Sequence, residues 1–193
     1  MMNIANQLTL LRLFLIPVFV GVLYLIDPAV SISFMAQQIP LAHFLAAIIF
    51  ALASVTDYLD GYLARKYHLV TSFGAFFDPM ADKLLVMAAF VALVSMQKVP
   101  AWICIIILGR ELLVTGLRVL LAQHDGKVMA AAMPGKIKTF TQMFAIIFFL
   151  MDDFGLNQLP FSIAKLLLYV CLFFTIYSGI EYFYQGRFVF YNK

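Results

Sequence analysis

Charge is scarce in this sequence. Asp, Glu, Lys and Arg make up 12% of its 193 residues, about half the share of an ordinary soluble domain. Hydrophobic residues make up 64%, and the mean hydropathy is +0.98. That much apolar surface cannot be hidden inside one small globule, which excludes a soluble enzyme and a disordered chain. Cysteine is nearly absent. Cys104 and Cys171 both sit in apolar runs, read as small packing residues, and exclude a disulfide scaffold. His43, His68 and His124 are far apart. They offer no zinc cluster and read as interfacial or loop residues. The net charge of +3 is mild and no basic tract carries interleaved aromatics, so nucleic acid is not a partner. No internal repeat and no low-complexity segment is visible.

What is present is a series of six apolar stretches, near 8–26, 40–64, 73–96, 100–121, 135–151 and 160–184. At about 20 residues per membrane crossing, they use up most of the chain. The expectation is an all-α integral membrane protein with six transmembrane helices, organised as a single transmembrane domain over 1–193. MMNIANQLTLLR has no basic n-region and no small-residue cleavage site follows it, so it reads as an uncleaved first helix. Charge alternates between the connections. The 27–39 segment holds Asp27 without Lys or Arg, 97–99 holds Lys98 alone, and 152–159 holds Asp152 and Asp153. Arg65 and Lys66 lie in the 65–72 turn, Arg118, Lys127, Lys136 and Lys138 in 118–138, and Arg187 and Lys193 in the tail. The positive-inside rule then puts both termini on the cytoplasmic side of the cell membrane. Trp102 and the EYFYQGRFVFY tail read as interfacial aromatics.

Acidic residues concentrate in DYLDGYLARKYHLVTSFGAFFDPMAD, residues 57–82. Asp57, Asp60, Gly61 and Ala64 are spaced i, i+3, i+4, i+7, one face of a helix. Gly74, Asp78 and Asp82 are spaced i, i+4, i+8, again one face. A short basic turn joins the two helices, so they should be antiparallel neighbours with four carboxylates converging near one membrane surface. In a medium of low dielectric these charges repel strongly and require cations or protons. Arg65 and Lys83 are close in sequence but would balance four acids poorly. A divalent ion balances them compactly, and all-oxygen ligands favour Mg²⁺ or Mn²⁺, with Ca²⁺ as a third option. Salt bridges or a proton relay are the weaker alternative. Gly61, Ala64 and Gly74 either let helices approach closely or leave floor space for a flat ligand.

The pattern DxxDGxxAR, eight residues, then GxxxDxxxD is complete in Asp57, Asp60, Gly61, Ala64, Arg65, Gly74, Asp78 and Asp82. It resembles the signature of the CDP-alcohol phosphotransferase family. The resemblance implies that family's six-helix fold, commonly a homodimer, with two Mg²⁺ or Mn²⁺ ions at the cytoplasmic membrane face. It implies that Asp57, Asp60 and Asp78 bind metal, and that Asp82 is the general base with a possible metal contact of its own. Gly61, Ala64 and Arg65, with Asp57, Asp60 and Gly74, would hold the CDP moiety.

A second stretch, GRELLVTGLRVLLAQHDGKVMAAAMPGKIKTFTQ (109–142), carries Arg110 and Arg118 at i, i+8 and then Lys136 and Lys138 after a Pro134-Gly135 break. Four cations near one surface need anions. Lipid head groups are one source. A bound phosphate is the other, with Arg as bidentate donor and Lys as point charge. Glu111 is placed to pair with a neighbouring Arg. GRELLVTGLR and GKIKTFTQ, with Asn6, Thr9 and Arg12 of an N-terminal NxxTxxR and Ile16-Pro17, are similar to the branch of the family whose acceptor is glycerol 3-phosphate. Ala5 departs from the proline frequent there. Asn6, Thr9 and Arg12 would support the CDP phosphates or the N-terminus. The branch implies transfer of the phosphatidyl group from CDP-diacylglycerol to sn-glycerol 3-phosphate, giving phosphatidylglycerophosphate and CMP. Arg110, Arg118, Lys136 and Lys138 would hold the acceptor phosphate, and membrane lipid would surround the acyl chains. Other acceptors, such as inositol phosphate or phosphatidylglycerol, remain open. Divalent-cation transport is the remote alternative, since the acids cluster near one face and no repeat is present.

Overall fold

The computed structural model describes residues 4–34, 37–67, 72–125, 133–156 and 160–187. Within these residues six helices run α1 (Ile4–Leu25), α2 (Leu41–Tyr67), α3 (Ser72–Ser95), α4 (Ala101–Asp125), α5 (Met133–Leu150) and α6 (Ile163–Gly186). The six apolar stretches predict the six helices to within a few residues. α1 begins early enough to include Asn6 and Thr9, and it passes through Pro17 without ending. α5 starts at Met133, so Pro134 and Gly135 form its first turn and not a break before it. A proline there loses no intrahelical hydrogen bond, because the first N–H groups have no partner within the helix.

α1 packs along both α2 and α3, α6 packs along α5 and α4, and α5 also touches α2 and α3. The expected α2–α3 neighbours meet only over a short stretch of the described residues. Phe19 of α1 meets Phe50 of α2 with ring centroids 6.2 Å apart. Phe90, Leu93, Ile103, Ile107, Ile146 and Leu150 are fully buried around them. Ala46, Ala47, Ala53, Ala89 and Ala92 fill the helix contacts, where small side chains allow close backbone approach. Both cysteines are buried and free. Large apolar side chains such as Phe14, Ile105, Phe173 and Ile180 point outward, as suits a bundle solvated by lipid. One described helix, Ile163–Gln185, is long and apolar enough to cross a membrane by length and composition. The apolar parts of α1, α2 and α3 are shorter, at Leu10–Leu25, Leu41–Thr56 and Lys83–Ser95. In α2 and α3 the charged motif residues occupy the remaining turns.

The 27–39 connection contains an unanticipated feature, an antiparallel hairpin of β1 (Ser31–Phe34) and β2 (Gln37–Pro40) with Ser31 opposite Pro40 and Phe34 opposite Gln37. Four-residue strands without an Asn-Gly or Asp-Gly turn give almost no signal in sequence. The hairpin is held from outside. Gln37 Nε2 donates to the carbonyls of Met151 (3.0 Å) and Asp152 (3.3 Å). The Phe34 ring packs on Phe44 and on Phe154. Asp152–Gly155 form one left-handed turn, with φ of 47°, 56°, 54° and 73°. That conformation costs roughly 1–2 kcal/mol for each non-glycine residue. Three ties offset it. The Asp153 carboxylate caps α6 by accepting from the Ala164 N–H at 2.6 Å. Phe154 packs edge-on against Phe148. Lys98, between α3 and α4, donates to Asp152 Oδ1 at 2.5 Å and to the Phe149 carbonyl at 2.9 Å, with His43 Nδ1 3.5 Å away. The α1–α2, α3–α4 and α5–α6 connections therefore meet at one end of the bundle. The helix ends bearing the aspartate motif lie at the other.

Lys98→Met should lower the thermal midpoint in detergent more than Asp152→Asn, since it removes every contact of the ammonium. A fall of about 2–4 °C is expected for each 1 kcal/mol lost. Unchanged midpoints in both variants would show that this tie does not stabilise the fold.

Candidate active site

The side chains described near the motif end form a cationic cavity between α3, α4 and α5. It measures about 260 Å³ and is lined by Lys83, Arg110, Glu111, Thr115, Arg118 and Gln142, among others. Lys83 Nζ donates to Thr115 Oγ1 at 2.5 Å, and Thr115 Oγ1 donates to the Glu111 carbonyl one turn back at 2.7 Å. Glu111 forms an ion pair with Lys138 of α5 and lies 3.9 Å from Arg110 Nη1. Lys138 is 1% exposed, so a full positive charge sits inside the bundle and needs this carboxylate.

Both arginines turn toward α6. Arg110 Nη2 donates to Ser178 Oγ at 2.8 Å, and Arg118 Nη2 donates to Tyr182 Oη at 2.5 Å. The Arg110 and Arg118 Cζ atoms lie 5.4 Å and 5.0 Å from the centroid of the same Tyr182 ring. Cations over a ring face are attracted by its quadrupole. Tyr182 is 2% exposed, which corrects the reading of the whole EYFYQGR segment as interfacial. Ser178 and Tyr182, at i, i+4 with Gly179 between them, were the available signal: two hydrogen-bonding side chains and a glycine in a helix of large apolar residues.

The predicted acceptor-site residues separate into distinct positions. Arg110 and Arg118 share the cavity, and Lys83 joins them. Lys138 is engaged with Glu111, and Lys136 is exposed and not among the lining residues. Glu111 therefore pairs across to α5 more closely than with its arginine neighbour. Arg12 is fully buried. Asp57, Asp60, Gly61, Ala64 and Arg65 belong to α2, and Gly74, Asp78 and Asp82 to α3, so the spacings that place each set on one helix face hold in the backbone. Their side chains, and those of Asn6 and Thr9, lie outside the described residues, as do Lys127, His68 and the side chain of His124. Lys83 directly follows Asp82 in α3. The end of the aspartate motif thus abuts the cationic cavity.

A sequence model of the CDP-alcohol phosphatidyltransferase family matches residues 2–177. The chain belongs to this family. A CDP-diacylglycerol–glycerol-3-phosphate 3-phosphatidyltransferase of Bacillus subtilis is 46% identical over 95% of this chain and 94% of its own length. A protein of the same name from Rickettsia bellii is 40% identical over 94% of this chain and 93% of its own. A probable phosphatidylglycerophosphate synthase of Mycobacterium tuberculosis is 38% identical over 93% of this chain and 79% of its own. The aspartate motif and the cavity both fall within the span matched by the family, while Ser178 and Tyr182 lie just beyond it.

Glu111→Ala should lower stability by about 3–5 kcal/mol, because it removes the carboxylate from a buried ammonium. Adding Lys138→Met should restore most of the loss. Unfolding in detergent would measure both, and a double variant no more stable than Glu111→Ala would show that the ion pair is not the cause.

Proposed function

We propose that the chain transfers the phosphatidyl group of CDP-diacylglycerol to sn-glycerol 3-phosphate, releasing CMP and forming phosphatidylglycerophosphate. The observation that carries this reading is the contact of two chemistries. An aspartate motif suited to a metal-bound pyrophosphate ends at Asp82, and the next residue lines a cavity rich in guanidinium and ammonium groups. The names and full-length similarity of the relatives agree with it.

Four carboxylates on two short helical segments are a hard, all-oxygen donor set, which fits Mg²⁺ or Mn²⁺. Asp57, Asp60, Asp78 and Asp82 would hold two ions. When bound, the metal supplies neutralisation of the pyrophosphate charge. Gly61, Ala64, Arg65 and Gly74 would seat the cytidine diphosphate, supported by Asn6, Thr9 and Arg12. Asp82 would take the proton from the glycerol 3-phosphate hydroxyl as its oxygen attacks the phosphorus bearing the diacylglycerol. The bond from that phosphorus to the CMP oxygen breaks, and CMP leaves. Arg110 and Arg118, with Lys83, would hold the acceptor phosphate, exposed Lys136 would add positive potential from outside the cavity lining, and Lys138 would act through its ion pair with Glu111. An acceptor without this phosphate would leave buried donors unsatisfied, which is the basis for rejecting it.

The same reading places the chain in the cell membrane as a single domain with six crossings, a homodimer whose termini and active site face the cytoplasm. Among the described residues, Lys98 and, in the first turn of α6, Lys165 are the basic residues nearest the hairpin end, and Lys98 is neutralised by Asp152. Arg65, Lys66, Arg118, Lys136, Lys138 and Arg187 belong to the helix ends on the motif side, as the positive-inside rule requires.

The test is CMP release from CDP-diacylglycerol in detergent micelles with Mg²⁺ or Mn²⁺, offering glycerol 3-phosphate, inositol phosphate, serine and phosphatidylglycerol separately. Release with glycerol 3-phosphate alone, abolished by EDTA, is the expected result; release with another acceptor would replace the acceptor reading. Asp82→Asn should abolish turnover and retain CDP-lipid binding, and lost binding would assign Asp82 to structure or metal. Gly61→Val should raise the KM for CDP-diacylglycerol, and an unchanged KM would move the nucleotide elsewhere.

A further inference from the structure

Two arginines directed at one buried aromatic ring form an unusual arrangement in an apolar bundle. Like charges brought together in a low dielectric repel, yet Arg110 and Arg118 converge on Tyr182. Each has one terminal nitrogen bound to α6, Arg110 to Ser178 and Arg118 to Tyr182. Arg110 Nε and Arg118 Nε are buried with no hydrogen-bond partner among the described residues. A guanidinium carries five N–H donors, and a buried donor left unmet is costly. Both residues line the 260 Å³ cavity. The unmet donors and the converging charges both point to an anion shared by the two arginines.

We propose that α6 is the positioning element of the acceptor site. Ser178, Gly179 and Tyr182 hold Arg110 and Arg118 in the arrangement that receives a phosphomonoester dianion, and thereby set the preference for a phosphorylated over an uncharged alcohol. The inference deepens the acceptor assignment made above and rests on it. Tyr182 is a positioning residue, since its hydroxyl and ring act on the arginines. The ring face offsets part of the repulsion between the two cations, and the hydroxyl fixes the rotation of Arg118. Ser178 fixes Arg110 in the same way, and its own proton goes to the Phe174 carbonyl at 2.5 Å, so its oxygen is oriented to accept. Gly179 leaves room for the Arg110 stem, because a Cβ there would lie 3.3 Å from Arg110 Cγ and the stem would have to give by a few tenths of an ångström. Any larger residue would push the Arg110 stem away from the ring.

The experiment compares the unaltered chain with Tyr182→Phe, Ser178→Ala and Gly179→Ala in the CMP-release assay. Tyr177→Phe is the control on the same helix, where the side chain is exposed and stacks on Phe173. Tyr182→Phe keeps the ring and removes one charge-assisted hydrogen bond, so the KM for glycerol 3-phosphate should rise about tenfold while that for CDP-diacylglycerol stays within about twofold. The preference for glycerol 3-phosphate over glycerol should fall by the same factor. Ser178→Ala and Gly179→Ala should move the same two quantities in the same direction, and Tyr177→Phe neither. Should Tyr182→Phe fail to fold, the Ser178 and Gly179 variants carry the same criterion. Equal changes in both KM values, or an unmoved preference, would reduce α6 to a packing helix and overturn the proposal. No CMP release by the unaltered chain with glycerol 3-phosphate would overturn the acceptor assignment and this inference together. Normal release with unmoved variants would overturn the positioning role alone.

Discussion

Positive charge inside an apolar bundle has to be met by something. An ammonium or guanidinium moved out of water loses several kcal/mol of hydration even after relaxation, and hydrocarbon returns none of it. The interior of this protein is arranged around that constraint. Lys138 is met by Glu111 across the α4–α5 contact, Lys98 by Asp152 and a carbonyl, and Arg110 and Arg118 by a serine, a tyrosine hydroxyl and one aromatic face. The Lys98–Asp152 tie and the arginine contacts to α6 join elements distant in sequence, while the Glu111–Lys138 pair joins the consecutive helices α4 and α5. The need to satisfy the charges therefore also selects which helices lie side by side, a specificity that uniform apolar packing would supply poorly.

α4 connects the two functional regions. One of its faces packs on α6 through the arginines. Thr115, on the same helix, receives Lys83 from the end of the aspartate motif on α3. A shift of α4 along its axis would disturb both contacts at once, which would couple the proposed metal side to the proposed acceptor side. The close α4–α6 approach depends on small residues, Gly179 above all, in a helix whose other faces carry Phe, Tyr and Ile toward lipid.

Much of this was legible in the sequence, and for identifiable reasons. Long apolar stretches separated by charge mark helices reliably, so the six helices were legible and only their ends shifted. The eight-position aspartate motif has a spacing that only a helix turns into a face, and the family match agrees with it. Arg110 and Arg118 were singled out because charge in such stretches is costly. Partner choice was less legible. Glu111 was expected to fix an arginine, and its tighter partner is Lys138, since helix neighbours at i, i+1 diverge and the facing helix cannot be read from one sequence. Tyr182 looked like one more aromatic near a chain end until packing buried it. The hairpin and the left-handed turn escaped because their stability comes from each other, through Gln37, Phe34 and Phe154, and not from local propensity.

The hairpin end bears on how the chain reaches its membrane. In the proposed orientation this end is the one carried through the bilayer during biogenesis. Its strands expose Ser31, Ser33 and Gln38 and half-bury Gln37, all uncharged, and these side chains bond to one another and to nearby carbonyls, Ser31 to Gln38 at 3.2 Å and Gln38 to Ser33 at 2.7 Å. The strand backbone is paired as well. A segment with its polar groups already satisfied carries a small dehydration load across hydrocarbon. The arrangement that closes one end of the bundle would also make that end the easier one to export.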